Sequence, residues 1–173
     1  MFLSKRKKYL DELKNVEQDI REISHDLNRE KSELINNFVS ILNKLFEDQM
    51  NTYSSKLITV FDPKIKWDLI SNIVKINLYR IVQEGLQNCN KYAKADIIRV
   101  EFKNEKDDLV LTIEDDGIGF NTKKTKNGIG LNNIEYRATE CKGEVTIKSV
   151  KGEGTILIIK VPLEPNNNLH NDI

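Results

Sequence analysis

Near residue 97 the hydrophobic period of this 173-residue chain switches from helical to strand-like. Before it, apolar residues recur three and four apart. Within 67–92, Ile70, Ile73, Val74, Ile81, Val82 and Leu86 supply the apolar face of a long helix. Beyond it, Ile98, Val100 and Phe102 alternate with charged residues, as do Leu109, Leu111 and Ile113, and the two runs read as a hairpin turning through 104–107. A helix over 131–141 and a second hairpin, 145–149 with 155–161, complete the pattern. Residues 33–48 form an earlier amphipathic helix, lined by Leu34, Phe38, Ile41, Leu42 and Leu45, and 56–61 a short strand ended by Asp62-Pro63. Helices and hairpins of these lengths close as an α+β fold, a two-layer α/β sandwich with helices on one face of an antiparallel-rich sheet.

Ahead of this lies one long helix, residues 5 to about 31. Tyr9, Leu13, Val16, Ile20, Ile23 and Leu27 step by 4, 3, 4, 3 and 4, a heptad stripe that one helix cannot bury alone. A second copy of the chain, or a further helix, is the expected partner. The expected organisation is therefore a stem helix over 1–31, a globular domain over 32–163 and a disordered Asn-rich tail over 164–173.

Charge narrows the function. Twenty-seven basic and 27 acidic residues cancel, which leaves no basic excess for a nucleic-acid binder. Cys89 and Cys141 stand far apart with no metal-binding spacing, and read as two reduced thiols of a cytoplasmic protein. No apolar run is long enough to span a bilayer. Lys5-Arg6-Lys7-Lys8 would suit a membrane anchor further upstream in a longer parent, or simply a solvated helix start.

Three polar constellations carry chemistry. Glu84 and Asn88 lie four apart on the long helix and so share a face, with Lys91 three further on. On its own this stripe is equally an ordinary solvated face with an i, i+4 pair. The run Ile113-Glu-Asp-Asp-Gly-Ile-Gly-Phe120 drives a strand into Asp116-Gly117-x-Gly119, where glycine lets backbone come close to a ligand. A carboxylate there accepts a hydrogen bond from an exocyclic amine. Adenine offers one, whereas guanine presents a carbonyl, and the unpaired mismatch costs about 1–3 kcal/mol. An acidic turn without ligand is the plain alternative, and calcium is excluded because further oxygen ligands at close spacing are missing. Third, Asn127-Gly-Ile-Gly-Leu-Asn-Asn133 opens a helix, whose free N–H groups suit phosphate. It is not a dinucleotide fingerprint, since Asn133 stands where the third glycine would, and no P-loop occurs. Gly152-Glu-Gly-Thr155 adds a tight turn with a hydroxyl beside the next strand.

Taken in order, these segments resemble the N box, the D box, the second glycine box and the Gly-x-Gly-Thr box of the Bergerat-fold (GHKL) ATPases, which include histidine kinases, Hsp90, type II topoisomerases and MutL. The run Tyr79-Arg-Ile-Val-Gln-Glu-Gly-Leu-Gln-Asn88, followed by Lys91-Tyr92-Ala93, resembles the sensor histidine kinases that signal to LuxR-type response regulators. That resemblance implies a two-component kinase using ATP and Mg²⁺. Asn88 would donate a carbonyl oxygen to the metal, and Glu84 would orient a metal-bound water or act as general base. Lys91 would face phosphate, with Tyr92 beside it. Asp116, flanked by Gly117 and Gly119, would read the adenine amine with support from Thr155. Gly128, Gly130 and Leu131 would cover the phosphates, with Lys123, Lys124 and Lys126 in a mobile lid. Homodimerisation through the stem and a LuxR-type response regulator are the implied partners.

The phosphoacceptor histidine is a separate question. Ser24-His25-Asp26 resembles the family's acceptor motif, but His25 lies only 63 residues before Asn88. That interval holds the domain's own first elements and leaves no room for a second stem helix. His25 therefore reads as the end of the second stem helix, and the true acceptor as lying outside this chain. His170 sits in the tail. Alternatives kept open are self-phosphorylation on His25, a dimeric nucleotide-binding regulator without transfer, and an anti-sigma-type serine kinase. The stem-like helix speaks against the last.

Overall fold

A computed structural model describes residues 37–122 and 128–163. The expected stem helix, His25, residues 33–36, Lys123, Lys124, Lys126, Asn127 and the tail with His170 lie outside the described residues. The unit of interest begins at Phe38.

Helix α1 (Phe38–Thr52) buries Phe38, Leu42, Phe46 and Gln49, spaced four, four and three residues apart. Its aromatic side chains enter a cluster with Phe61, Trp67 and Phe102. Phe61 stacks on Phe102 at 5.2 Å between ring centres, and Trp67 meets Phe102 edge-on at 5.4 Å. Edge-on and offset ring pairs of this kind contribute about 0.5–1.5 kcal/mol beyond their area. The cluster fastens α1 to one end of the sheet.

Five strands form that sheet. β1 (Lys56–Phe61) pairs in parallel with β2 (Ile97–Glu105), and β2 turns through Lys106-Asp107 into β3 (Asp108–Asp115). β4 (Glu144–Val150) and β5 (Gly154–Pro162) form the second hairpin, with β5 inserted beside β3, so the order is β1-β2-β3-β5-β4. The antiparallel-rich sandwich expected from the sequence is what forms. The period of two is strict on the covered face: Ile98, Val100 and Phe102, then Leu109, Leu111 and Ile113, then Leu157, Ile159 and Val161 are all buried. The turn between β2 and β3 is two residues rather than four, because Lys106 takes a left-handed φ of 56° and closes the hairpin more tightly.

The long helix is not continuous over 67–92. A 3₁₀ turn (Trp67–Leu69) ends in extended backbone at Ile70 and Ser71, and α2 (Asn72–Asn88) then starts afresh. Ser71 is its cap, with the side-chain oxygen accepting from the N–H of Val74 at 3.4 Å. The new start sets the buried face at Leu78, Ile81, Val82, Gly85 and Leu86, while Ile73 in the first turn is 54% exposed and leaves the expected face. Beyond Asn88 the backbone widens into a π turn (Cys89–Ala93), and Lys94 ends it at a φ of 52°. Helix α3 (Ile129–Glu140) packs on α2 and against β4. Cys89 and Cys141 are free and buried. No helix among the described residues is long and apolar enough to cross a membrane.

Candidate functional site

Between α2, the π turn, α3 and the ends of β3, β4 and β5 lies a cavity of about 760 Å³. Gly85 lets α2 lie close to β3, because a Cβ there would stand 2.5 Å from Cδ1 of Ile113 and force that side chain to shift. Glu84 and Asn88, the next positions round α2, line the cavity, as do Lys91 and Tyr92 on the π turn. Lys91 and Tyr92 are exposed and form its lip, Tyr92 at 67%. From the opposite side Gly130, in the first turn of α3, comes directly over Glu84 and Asn88. A Cβ on Gly130 would lie 2.3 Å from Oε1 of Glu84 and 3.1 Å from Oδ1 of Asn88. Gly128 and Leu131 line the same wall. The N-cap of α3 is Gly128, which brings no side-chain cap, and its first turn carries no acid, so the positive dipole end of the helix suits an anion.

The sequence expectation of Asp116 as the carboxylate of the cavity is corrected here. Asp116 is exposed and does not line it. Its Oδ1 accepts from the backbone N–H groups of Asp96 and Ile97, both at 2.9 Å, and so ties the strand end to the start of β2. Asp115 points inward instead, at 6% exposure. The reason is strand parity: 115 continues the inward series 109, 111, 113, and 116 falls on the other side. Gly117 is likewise not a lining residue. Its N–H donates to Oδ1 of Asp115 at 2.9 Å, and a Cβ at Gly117 would drive to 2.1 Å from the carbonyl oxygen of Ala93. Gly119 does line the cavity, at a φ of 53°.

Burial pushes the Asp115 carboxyl above the usual carboxylate range, opposed by the hydrogen bonds from the N–H of Gly117, the Cys89 thiol and the N–H of Thr155. The Sγ of Cys89 donates to Oδ2 of Asp115 at 3.7 Å. Burial and then the neighbouring Asp115 push that thiol up to about 12, so it is a neutral donor at neutral pH. Thr155 lies opposite Asp115 in the β3–β5 register. Its hydroxyl is 3.0 Å from that of Ser149, which also accepts from the N–H of Phe120 at 2.8 Å and donates to the carbonyl of Gly154 at 3.0 Å. Ile113, Ile147 and Leu157 supply apolar wall around the acid. An apolar-walled cavity with a buried acceptor at one side, and an amide, a carboxylate and a helix N-terminus at the other, suits a ligand with an amine-bearing ring and an anionic tail.

Sequence reasoning missed Cys89, Asp115 and the apolar wall. For Asp115 the signal was present, since the alternation that placed Leu109, Leu111 and Ile113 inward extends to it. Cys89 follows from α2 carried one turn past Gly85 and Leu86. Ile147 and Leu157 had only strand parity to mark them.

Residues 73–165, more than half of the chain, match the model of the family described as histidine kinase-, DNA gyrase B-, and HSP90-like ATPase. The chain belongs to that family. Among curated relatives it is similar to the signal transduction histidine-protein kinase/phosphatase DegS of Brevibacillus brevis, 37% identical over 91 residues, 52% of this chain and 24% of that one. It is also similar to the sensor histidine kinase LiaS of Bacillus subtilis, 36% identical and covering 62% of this chain and 31% of that one. This chain therefore spans about a quarter to a third of the length of these relatives. Among solved structures, the blue-light activated histidine kinase EL346 of Erythrobacter litoralis has the same fold over 75% of this chain and 43% of its own, with a TM-score of 0.63 at 19% identity. As a member of this ATPase family the chain is an ATP-binding domain.

Proposed function

We propose that this chain is the ATP-binding catalytic part of a sensor histidine kinase, taking the γ-phosphoryl group of Mg·ATP to a histidine outside the chain. One observation carries it: a single cavity holds the buried Asp115 acceptor and the Glu84–Asn88–Gly130 convergence. Asp115 accepts from the exocyclic amine of adenine, with Thr155 beside it, and rejects guanine, whose carbonyl would face the carboxylate. The N-terminus of α3, with Gly128, Gly130 and Leu131, receives the phosphates, and Lys91 adds charge at the lip.

The donor set fits magnesium. Asn88 presents a hard amide oxygen and Glu84 a carboxylate, and the described residues contain no group of three or more His, Cys, Asp and Glu side chains that would suit a softer or fully protein-ligated ion. Magnesium, when bound, neutralises phosphate charge as the phosphoryl group leaves. Asn88 holds that ion, and Glu84 orients a water or takes the proton of the attacking group. The presence of Glu84 beside Asn88 favours transfer over nucleotide binding alone. The names of the relatives, sensor histidine kinases and a histidine kinase/phosphatase, support the same reading. The heptad stripe of residues 9–27 supports a homodimeric stem, and the motif from Tyr79 to Ala93 supports a LuxR-type response regulator as the downstream partner.

The test is calorimetric and chemical. Mg·ATP gives a saturable binding isotherm, and Mg·GTP binds at least tenfold more weakly. Incubation of this chain alone with radiolabelled ATP leaves no acid-labile phosphate on it. Equal affinity for the two nucleotides removes the role of Asp115, and label on His25 moves the acceptor into this chain.

A further inference from the structure

Four of the cavity's lining residues, Cys89, Lys91, Tyr92 and Ala93, stand on the five-residue π turn that follows α2. A π turn gives up the tight backbone ladder of an α-helix and is held in place by its surroundings. The fifth member, Asn90, is not a lining residue; it points away, to α1. There it forms a reciprocal amide pair with Gln49: Nε2 of Gln49 donates to Oδ1 of Asn90 at 2.8 Å, and Nδ2 of Asn90 donates to Oε1 of Gln49 at 2.9 Å. Gln49 is 5% exposed and lies among the apolar residues of α1. A buried carboxamide left without partners is costly, so each amide fixes the other.

We infer that Gln49 and Asn90 are positioning residues for the nucleotide site: they hold the π turn, and through it Lys91, Tyr92 and the Cys89 contact to Asp115, in the geometry that receives ATP. Neither touches the nucleotide cavity. The inner end of the turn is fixed separately, by the N–H of Ile118 donating to the carbonyl of Ala93 at 2.7 Å, and the amide pair ties its outer bend to α1. Helix α1 thereby becomes a lever on the site. A displacement of its last turn reaches the adjacent residues Cys89 and Lys91 without passing through the sheet.

The inference rests on the cavity being the ATP site, and the experiment separates the two. Mg·ATP affinity and melting midpoint are measured on the full chain for wild type, Gln49→Met, Asn90→Ala and the double variant, all titrations well below the lowest midpoint. Gln49→Met keeps the buried volume while deleting both hydrogen bonds, and covers the case in which Asn90→Ala folds poorly. Each single variant is expected to bind Mg·ATP about tenfold more weakly, and the double variant no more than twofold weaker than the worse single, because one pair is lost in all three. A purely structural pair would lower the midpoints and leave affinity within twofold of wild type, which overturns the inference, as do losses that multiply in the double variant. A wild-type chain that takes no Mg·ATP overturns the site assignment and the inference together; wild-type binding with unchanged variants overturns the inference alone.

Discussion

Adjacent aspartates at the end of β3 have opposite duties, and each duty predicts its own mutant. Asp115→Asn keeps an oxygen for the Gly117 N–H but removes the buried charge that suits an amine donor. Its Mg·ATP affinity is expected to fall at least tenfold while the melting midpoint changes little, since the desolvation cost of the carboxylate offsets much of what its hydrogen bonds contribute. Asp116→Ala loses the two N–H contacts from Asp96 and Ile97. It is expected to lose about 1 kcal/mol of stability and to bind ATP nearly as wild type once folded. Isothermal titration and thermal unfolding of both variants check the crossing; the reverse pattern would restore Asp116 as the ligand. A pH series adds the sign. Burial raises the Asp115 carboxyl in the folded protein. Its share of stability is therefore present below the ordinary carboxylate range and lost as pH rises through the raised folded value. ATP recognition is expected to run the other way, because the ionised carboxylate is the stronger acceptor. Affinity is expected to drop as pH falls through that same raised value, earlier than an exposed carboxylate would cause, and Asp115→Asn should flatten the profile.

Among the elements, those whose kind follows from side-chain period were legible in advance. β1 was read at its observed bounds, and both hairpins and the helix after the glycine run were found within a few residues. The failures share one physical origin, a backbone event with no hydrophobic signature. Ser71 stops and restarts a helix whose apolar residues continue on both sides of it. The π turn at Cys89–Ala93 follows α2 with no proline or glycine to mark it, since Asn-rich sequence suits many backbones. The site was legible as a set of boxes; of their glycines, Gly117, Gly119 and Gly130 stand close to other atoms of the chain, whereas nothing lies within 4 Å of a Cβ at Gly128. What those glycines approach was not legible, because it depends on two elements meeting. Gly130 shows the consequence. Gly130→Ala adds one methyl group facing the flexible ends of Glu84 and Asn88, which can swing aside, and alanine favours helix by roughly 1 kcal/mol. The variant is expected to melt at or above the wild-type temperature yet bind Mg·ATP at least tenfold more weakly, as seen by titration. Unchanged binding would mean that α3 does not sit over that pair in solution.

At the scale of the molecule, the cavity is the place where the two layers share a wall. Helix α2, the π turn and α3 supply one side and β3, β4 and β5 the other, whereas β1 and β2 contribute no lining residue. The remote end of the sheet is held to α1 by the aromatic cluster instead. A ligand in the cavity therefore bridges helices to sheet only on the β3–β5–β4 side, and α3, attached through α2, β4 and β5, is expected to gain most from it. Linkage fixes the size of the global effect: at a free nucleotide concentration a hundredfold above Kd, unfolding becomes harder by about 2.7 kcal/mol. Hydrogen exchange adds the distribution. Amides of β2 and β3 that open only in global unfolding should all slow by the same increment, while those of α3 are expected to open locally without nucleotide and to slow by more when it is added. Asp115→Asn should abolish both effects at the same nucleotide concentration. Uniform slowing with no excess in α3 would show that this helix is already as firmly held as the sheet, and that the nucleotide closes nothing when it binds.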